Sequence, residues 1–303
     1  MQSIYAMHQS HVDNIDKQEN FLLKSIEGIQ DLYLVLISIL IEIKKYEEDF
    51  LEKSSKKYLA TQEEKQPNYK FINNKVINIL ENNKNLYEAL QSRYINNWVL
   101  DYTYINLFLH EIKQSILYEM YMSTPENSFE EDKKFVLDVF TTIIAPNEKL
   151  YDYLENNKLT WVDDIPIVNT AIIKQISQIQ ELEKDYILVY KLYKEEEDKA
   201  FVKDLFRKTV LNEVELSKEY IDKTPNWDTE RIAELDTIIL KMAICEFLKF
   251  PLIPVKVTIN EYLELAKEYS TPKSSLFING VLDNIVKDFE KRDKLKKIGR
   301  GLI

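Results

Sequence analysis

Asp31-Leu32-Tyr33-Leu34-Val35-Leu36-Ile37-Ser38-Ile39-Leu40-Ile41-Glu42 is the stretch on which the fold turns. Ten uncharged residues lie between two carboxylates, short of the ~20 apolar residues that cross a bilayer. Extended in both directions, apolar residues recur every three or four positions: Phe21, Leu22, Ile26, Ile29, Leu32, Tyr33, Leu36, Ile37, Leu40 and Ile43. That period is helical, whereas a half-buried strand would alternate at every second residue. The segment therefore predicts a long helix with a buried face inside an all-α protein.

The rest of the chain agrees. Of its 303 residues 45% are hydrophobic and 30% charged, a globular composition, and 4 Gly and 8 Pro are few for a β-rich or loop-rich protein. A chain of this length folds without staples. The single cysteine, Cys245, excludes an internal disulfide and, within the apolar run Ile238 to Phe247, reads as a buried core thiol. Met1 to His11 shows no basic region followed by an apolar one, so a cytoplasmic protein is expected. His8, His11 and His110 are too few and scattered for a metal site and read as surface residues; no phosphate-binding glycine loop and no triad pattern is visible. No cofactor, no metal and no catalysis are expected.

Net charge is −11, but it is unevenly spread. From Phe201 onward 18 Lys and Arg face 17 Asp and Glu, whereas the first 200 residues hold 22 against 34. The acidity lies upstream, which leaves the last third open to an anionic partner such as RNA.

Breaks in the helical pattern fall at Gln66-Pro67-Asn68, Ser123-Thr124-Pro125, Ala145-Pro146-Asn147, Thr224-Pro225-Asn226, Phe250-Pro251 and Ser270-Thr271-Pro272. Asn279-Gly280 has helical patterning on both sides and reads as intrahelical, its glycine admitting a neighbouring helix. An internal repeat runs at an offset of 66 residues: Glu130-Glu131-Asp132-Lys133 against Glu196-Glu197-Asp198-Lys199, Phe140 against Phe206, Leu150 against Leu216, Trp161 against Trp227, and Ile172-Ile173 against Ile238-Ile239. A fainter third copy runs from Phe71 to Trp98. Each unit reads as helix, short loop, Trp, helix.

The last hundred residues carry linked motifs: Asn226-Trp227; Ala233-Glu234-Leu235-Asp236; Ile238-Ile239-Leu240-Lys241-Met242-Ala243; Cys245-Glu246-Phe247; Ile253-Pro254-Val255-Lys256-Val257; Thr258-Ile259-Asn260-Glu261; and Leu276-Phe277-Ile278-Asn279-Gly280-Val281-Leu282. Thr258 with Glu261 three residues on is a capping-box pattern that expects a helix start, and Thr271-Pro272 expects another. In the final helix Phe277, Val281, Ile285 and Phe289 line one face.

The order and spacing of these motifs over Phe201 to Phe289 resembles the C-terminal half of the NusB family, and Gln2-Ser3-Ile4-Tyr5-Ala6 is similar to the family's first helix. The resemblance implies N-terminal helices of a NusB-like bundle over 1–50, a helical insertion with repeated hairpins over 51–200, and a C-terminal NusB-like subdomain with a basic tail over 201–303. It further implies transcription antitermination: binding of boxA-type RNA in ribosomal RNA leaders with a small-subunit ribosomal protein, in a complex with RNA polymerase and other Nus factors, away from any membrane. By position, RNA contacts fall on Gln2, Tyr5, Lys273, Ser274 and Phe277, and partner contacts on Trp227, Lys241 and Glu246. Asn260 and Glu261 are expected to cap a helix. The chain departs from the family in beginning inside the first motif, without the Arg-rich segment that precedes it, and in carrying Lys241 where Arg is usual. Lys273 and the tail Lys291, Arg292, Lys294, Lys296, Lys297 and Arg300 offer substitute charge. NusB-like domains also precede RNA cytosine methyltransferases, but that reading needs a cofactor domain after Phe289, where only residues 290–303 stand. The remaining alternative is a helical protein-interaction scaffold with weak or lost RNA binding.

Overall fold

The structure is a computed structural model that describes the chain except residues 11–13, 126–127, 182–189, 194, 222, 224–232 and 299–303. Among the described residues it is all-α, without strands. Two helices open the chain, α1 (Gln2–Ser10) and the 41-residue α2 (Ile15–Ser55). Then follow α3 (Gln62–Lys65), α4 (Lys75–Glu81), α5 (Lys84–Ser92), α6 (Asn97–Leu100), α7 (Tyr102–Lys113), α8 (Ile116–Ser123), α9 (Phe129–Val139), α10 (Glu148–Asn157) and α11 (Ile165–Gln178). The last five are α12 (Glu196–Leu211), α13 (Glu213–Ile221), α14 (Glu234–Lys249), α15 (Val255–Tyr269) and α16 (Ser274–Lys291). No helix is long and apolar enough to cross a membrane among the described residues.

The chain divides into two compact units, one made of residues 1–23 and 193–303, the other of residues 24–192. The expected boundary near residue 50 falls inside α2 instead. From Leu32 to Ile43 that helix is buried on nearly every side, packed with Phe71, Val76, Phe108, Phe140 and Ile172, so this stretch of it belongs with the helices that follow.

In the unit of residues 24–192, short helices are started by side-chain caps that accept the first free backbone N–H groups. Asn74, Asn83, Ser115, Ser128 and Asn147 cap α4, α5, α8, α9 and α10, and Thr61 with Glu64 forms a capping box on α3. Asn74 is fully buried; its amide also donates to the Tyr121 hydroxyl and to the Asp132 carbonyl, both at 3.2 Å. Asp132 accepts from Tyr121 at 2.6 Å and from the Lys75 backbone at 2.8 Å, so this polar network is satisfied inside the core.

Two tryptophans tie later segments of this unit to α2. The Trp98 indole donates to the Val35 carbonyl and the Trp161 indole to the Gly28 carbonyl, each at 2.8 Å and seven residues apart along α2, about two turns. The 66-residue offset relates α9, α10 and α11 to α12, α13 and α14 in the same order, and Phe140 and Phe206, Leu150 and Leu216, Ile172 and Ile238 are buried at both positions.

The described breaks all fall between helices, while Thr224-Pro225-Asn226 lies outside the described residues. Two expected helix starts shift. Helix α15 begins at Val255, with the Pro254 carbonyl accepting from Val257 and Thr258, because proline has the φ of a helix start and needs no N–H there. Thr258 is thereby a buried interior residue, and Asn260 and Glu261 are exposed mid-helix residues that cap nothing. Helix α16 begins at Ser274, and its cap position, Lys273, makes no side-chain cap bond.

Gly280 is intrahelical as expected, yet a Cβ there would meet nothing within 4 Å; the close approach occurs at Gly28, under Lys158 and Trp161. Helix α16 ends with Asp293 in the left-handed region (φ 51), the Lys294 N–H bonding back to the Phe289 carbonyl and the Asp293 N–H to Glu290. That turn sends the tail back over the body of its unit.

Candidate functional site

The site is built around α14 in the unit of residues 1–23 and 193–303. This helix is the most enclosed of the last five: Ile238, Ile239, Leu240, Ala243, Ile244, Cys245 and Phe247 are buried among residues of α1, α12, α13, α15 and α16. Polar side chains at three levels along it, five residues apart, fix its neighbours.

At its N-terminal end Asp236 is buried and accepts from Ser270 at 2.6 Å and from Ser274 at 2.8 Å, while Thr271 meets Ser274 at 2.8 Å. These bonds set the turn between α15 and α16 and hold the head of α16. Midway, Lys241 pairs with Glu213 at 3.0 Å. At the C-terminal end Glu246 is buried and accepts from Thr258 at 2.6 Å and from Tyr262 at 3.2 Å. Burial and the adjoining Glu246 carboxylate hold the Tyr262 hydroxyl well above its ordinary range, so it stays a donor.

Against this frame the expected RNA contacts separate into two groups. Gln2, Tyr5 and Lys273 are exposed. Ser274 and Phe277 are buried: the serine hydroxyl is engaged by Asp236, and the ring is packed in the same core as Ile4, Ile238 and Val281. Of the expected partner contacts, Lys241 and Glu246 are held internally, and Trp227 lies outside the described residues. The α16 stripe of Phe277, Val281, Ile285 and Phe289 was legible, and it is this stripe that takes the Phe277 ring inward.

The tail supplies less free charge than its composition suggests. Arg292 and Lys294 both bind Glu219, at 2.9 and 2.6 Å, and Arg292 also binds Asp288. The Lys297 ammonium donates to carbonyls at the C-terminal end of α14, that of Glu246 and that of Phe250 just past the helix, each at 3.0 Å, and the Ile298 N–H reaches the Pro251 carbonyl at 2.8 Å. Burial draws Lys297 below the usual lysine range, Glu246 opposing the shift. Lys291 and Lys296 remain exposed, and Arg300 lies outside the described residues. Cys245 is fully buried and its thiol is pushed up by burial, the behaviour of a core residue.

One side chain that sequence reasoning placed on the surface is part of this frame. His8 of α1 has Nε2 at 2.8 Å from Glu213 and Nδ1 at 3.2 Å from Glu234, and Gln9 donates to Glu234 at 2.7 Å. His8 lies four residues after the buried Ile4, on the same side of α1, a spacing that could have found it.

A family model described as the NusB family matches residues 168–287. Three relatives, each called transcription antitermination protein NusB, are similar over part of the chain. That of Salinibacter ruber is 47% identical over 104 residues, which cover 34% of this chain and 64% of the relative. That of Chloroherpeton thalassium is 32% identical over 143 residues, 42% of this chain and 68% of the relative. That of Dictyoglomus turgidum is 39% identical over 127 residues, 39% and 78% respectively. No solved structure matches the chain.

Proposed function

The chain belongs to the NusB family, and from that premise we propose that it is a transcription antitermination factor, a non-enzymatic module that binds boxA-type RNA in ribosomal RNA leaders together with a small-subunit ribosomal protein. In this reading it acts in the cytoplasm, within the complex of RNA polymerase and other Nus factors. The observation that carries the reading is that the family match runs through α14, α15 and most of α16, the helices whose buried polar bonds hold Lys273 exposed at the head of α16.

In this reading Gln2 and Tyr5 on α1 and Lys273 on α16 touch RNA, the tyrosine by stacking on an unpaired base and the lysine at phosphate. Ser274, Phe277, Lys241 and Glu246 contribute from inside, by fixing the helices that carry those contacts. The ribosomal partner is met through Trp227, which lies outside the described residues.

The test is a titration of fluorescent boxA-like RNA with the full chain, with and without the small-subunit ribosomal protein, at two salt concentrations. Binding that weakens with salt and tightens with the partner is expected, because each neutralised phosphate releases counterions. Lys273→Glu should weaken binding at least several-fold and lower the salt slope, with the helical content unchanged by circular dichroism. Absence of binding in every condition would overturn the RNA reading. The second reading, a helical protein-interaction scaffold, is favoured by the internal engagement of Arg292, Lys294 and Lys297, and predicts partner binding without RNA.

A further inference from the structure

The unit of residues 24–192 carries 19 Lys and Arg against 27 Asp and Glu, so it is poorly suited to a polyanion. Its surface holds a groove with two recesses of about 320 and about 550 Å³, both open to solvent. One wall is α7, where Thr103, Leu107 and Glu111 follow at four-residue spacing, with Ser115 just past the helix end, a run of ~18 Å. The other wall is α10 with the chain that leads into it. Lys149 and Asp152 stand with Thr103 and Leu107, and Thr142 and Pro146 with Glu111 and Ser115. The walls are therefore antiparallel and the groove runs along them. Half-buried Tyr104, Leu107 and Ile143 give it an apolar lining.

A π turn shapes the second wall. Over Phe140–Ile144 the turn is widened by one residue, the Ala145 N–H bonding to the Phe140 carbonyl at 2.8 Å. The Thr141 and Thr142 hydroxyls donate to the carbonyls of Leu137 and Asp138, at 2.8 and 2.6 Å. Such turns are rare and recur at functional sites. Asn147, the cap of α10, donates to Glu111 at 2.7 Å and ties the two walls together. Among the described residues Glu111, Glu148 and Asp152 make no ion pair, and neither does Lys149, so the lining keeps an unbalanced negative charge. The 66-residue offset sets Glu148, Lys149 and Asp152 against Val214, Glu215 and Lys218. The shared framework thus asks for no carboxylate at these positions.

We propose that the groove between α7 and α10 is the docking site of a basic amphipathic helix from a partner protein. Two antiparallel helices leave a seat for a third along their common direction, and the helix places apolar side chains at i, i+4 and i+7 into the recesses. Its Lys and Arg side chains meet Glu111, Glu148 and Asp152. This site is independent of the RNA reading.

The experiment uses three synthetic helical peptides of about 14 residues, ~21 Å long, and the full chain. The first carries a leucine face flanked by lysines, the second has glutamate for each lysine, and the third keeps the lysines with serine for each leucine. Fluorescence anisotropy at two salt concentrations gives affinity, and hydrogen exchange gives location. The first peptide should bind at 1:1, more weakly at high salt, and slow exchange in α7 and α10. The other two should bind at least ten-fold more weakly. Glu148→Lys with Asp152→Lys, both on exposed positions, should weaken the first peptide at least several-fold, and Lys149→Glu should tighten it, with helical content unchanged by circular dichroism. Binding indifferent to these reversals, or exchange slowed elsewhere than α7 and α10, would overturn the proposal. Equal binding of the serine peptide would reduce the effect to bulk charge and overturn it too. A dimer of the chain that the same reversals dissolve would give the groove to a second copy instead.

Discussion

Asp236 and Glu246 are buried carboxylates met, among the described residues, by hydroxyl groups, two each, and not by cations. An acceptor of that kind is costly to remove, since the donors left behind have lost water as well as their partner. Asp236→Ala should therefore destabilise the chain by about 2 kcal/mol in urea unfolding, with Asp236→Asn losing less because one acceptor oxygen remains. Equal stability of all three proteins would mean that water replaces the bonds. Asp164, before α11, shows the opposite economy: burial, with Asp163 beside it and Lys158 opposing, raises its carboxyl to about 6. The unfolded carboxyl ionises near its ordinary 3.8, so between those values the folded state binds the extra proton and stability falls as pH rises. Asp164→Asn should stabilise the chain at pH 7.5 by about 1 kcal/mol, discounted for solvent screening, and do nothing at pH 4. A gain equal at both pH values would refute the electrostatic cause.

At the scale of elements, two helices divide the organising work. Helix α2 receives the Trp98 and Trp161 indoles on its backbone, and α14 orders its neighbours through Asp236, Lys241 and Glu246. Helix α16 carries a glycine that no contact requires. A methyl group at Gly280 meets open space, so Gly280→Ala should stabilise the chain by about 0.5–1 kcal/mol through the lower entropy of its unfolded state. Thermal unfolding checks this, and a loss of stability would show that the backbone at Gly280 is not free to accept a side chain. The Asn-Gly pair was readable as helical from its flanks, but not the reason for its glycine. Close approach to a neighbour is decided by packing, and packing put it at Gly28.

For the whole molecule, each unit keeps its own core: Leu32, Phe108, Phe140 and Ile172 in one, Ile4, Ile239, Phe247 and Phe289 in the other, with no residue in common. Calorimetry should resolve two transitions. Phe108→Ala, which empties a fully buried site, should lower one of them by the equivalent of about 3–5 kcal/mol and leave the other in place. A single transition moved as one would show that the units unfold together. Charge divides along the chain as well, since the acidic excess lies in the first 200 residues and the family match begins only at residue 168.

Periodicity by itself determined that the chain is helical and that Leu32 to Ile43 is interior, because a face of that width must be covered. The proline breaks likewise needed only local backbone sterics. The ordered motifs from Ala233 to Leu282 carried the family. What the sequence left undecided depends on partners far along the chain. Ser274 and Phe277 look like contact residues until Asp236 and the α16 stripe draw them inward, and the basic tail looks free until Glu219 and the end of α14 take three of its cations. His8 stands more than two hundred residues from Glu213 and Glu234. A hydrogen bond across that separation leaves no periodicity or spacing in sequence, so only the tertiary structure could decide it.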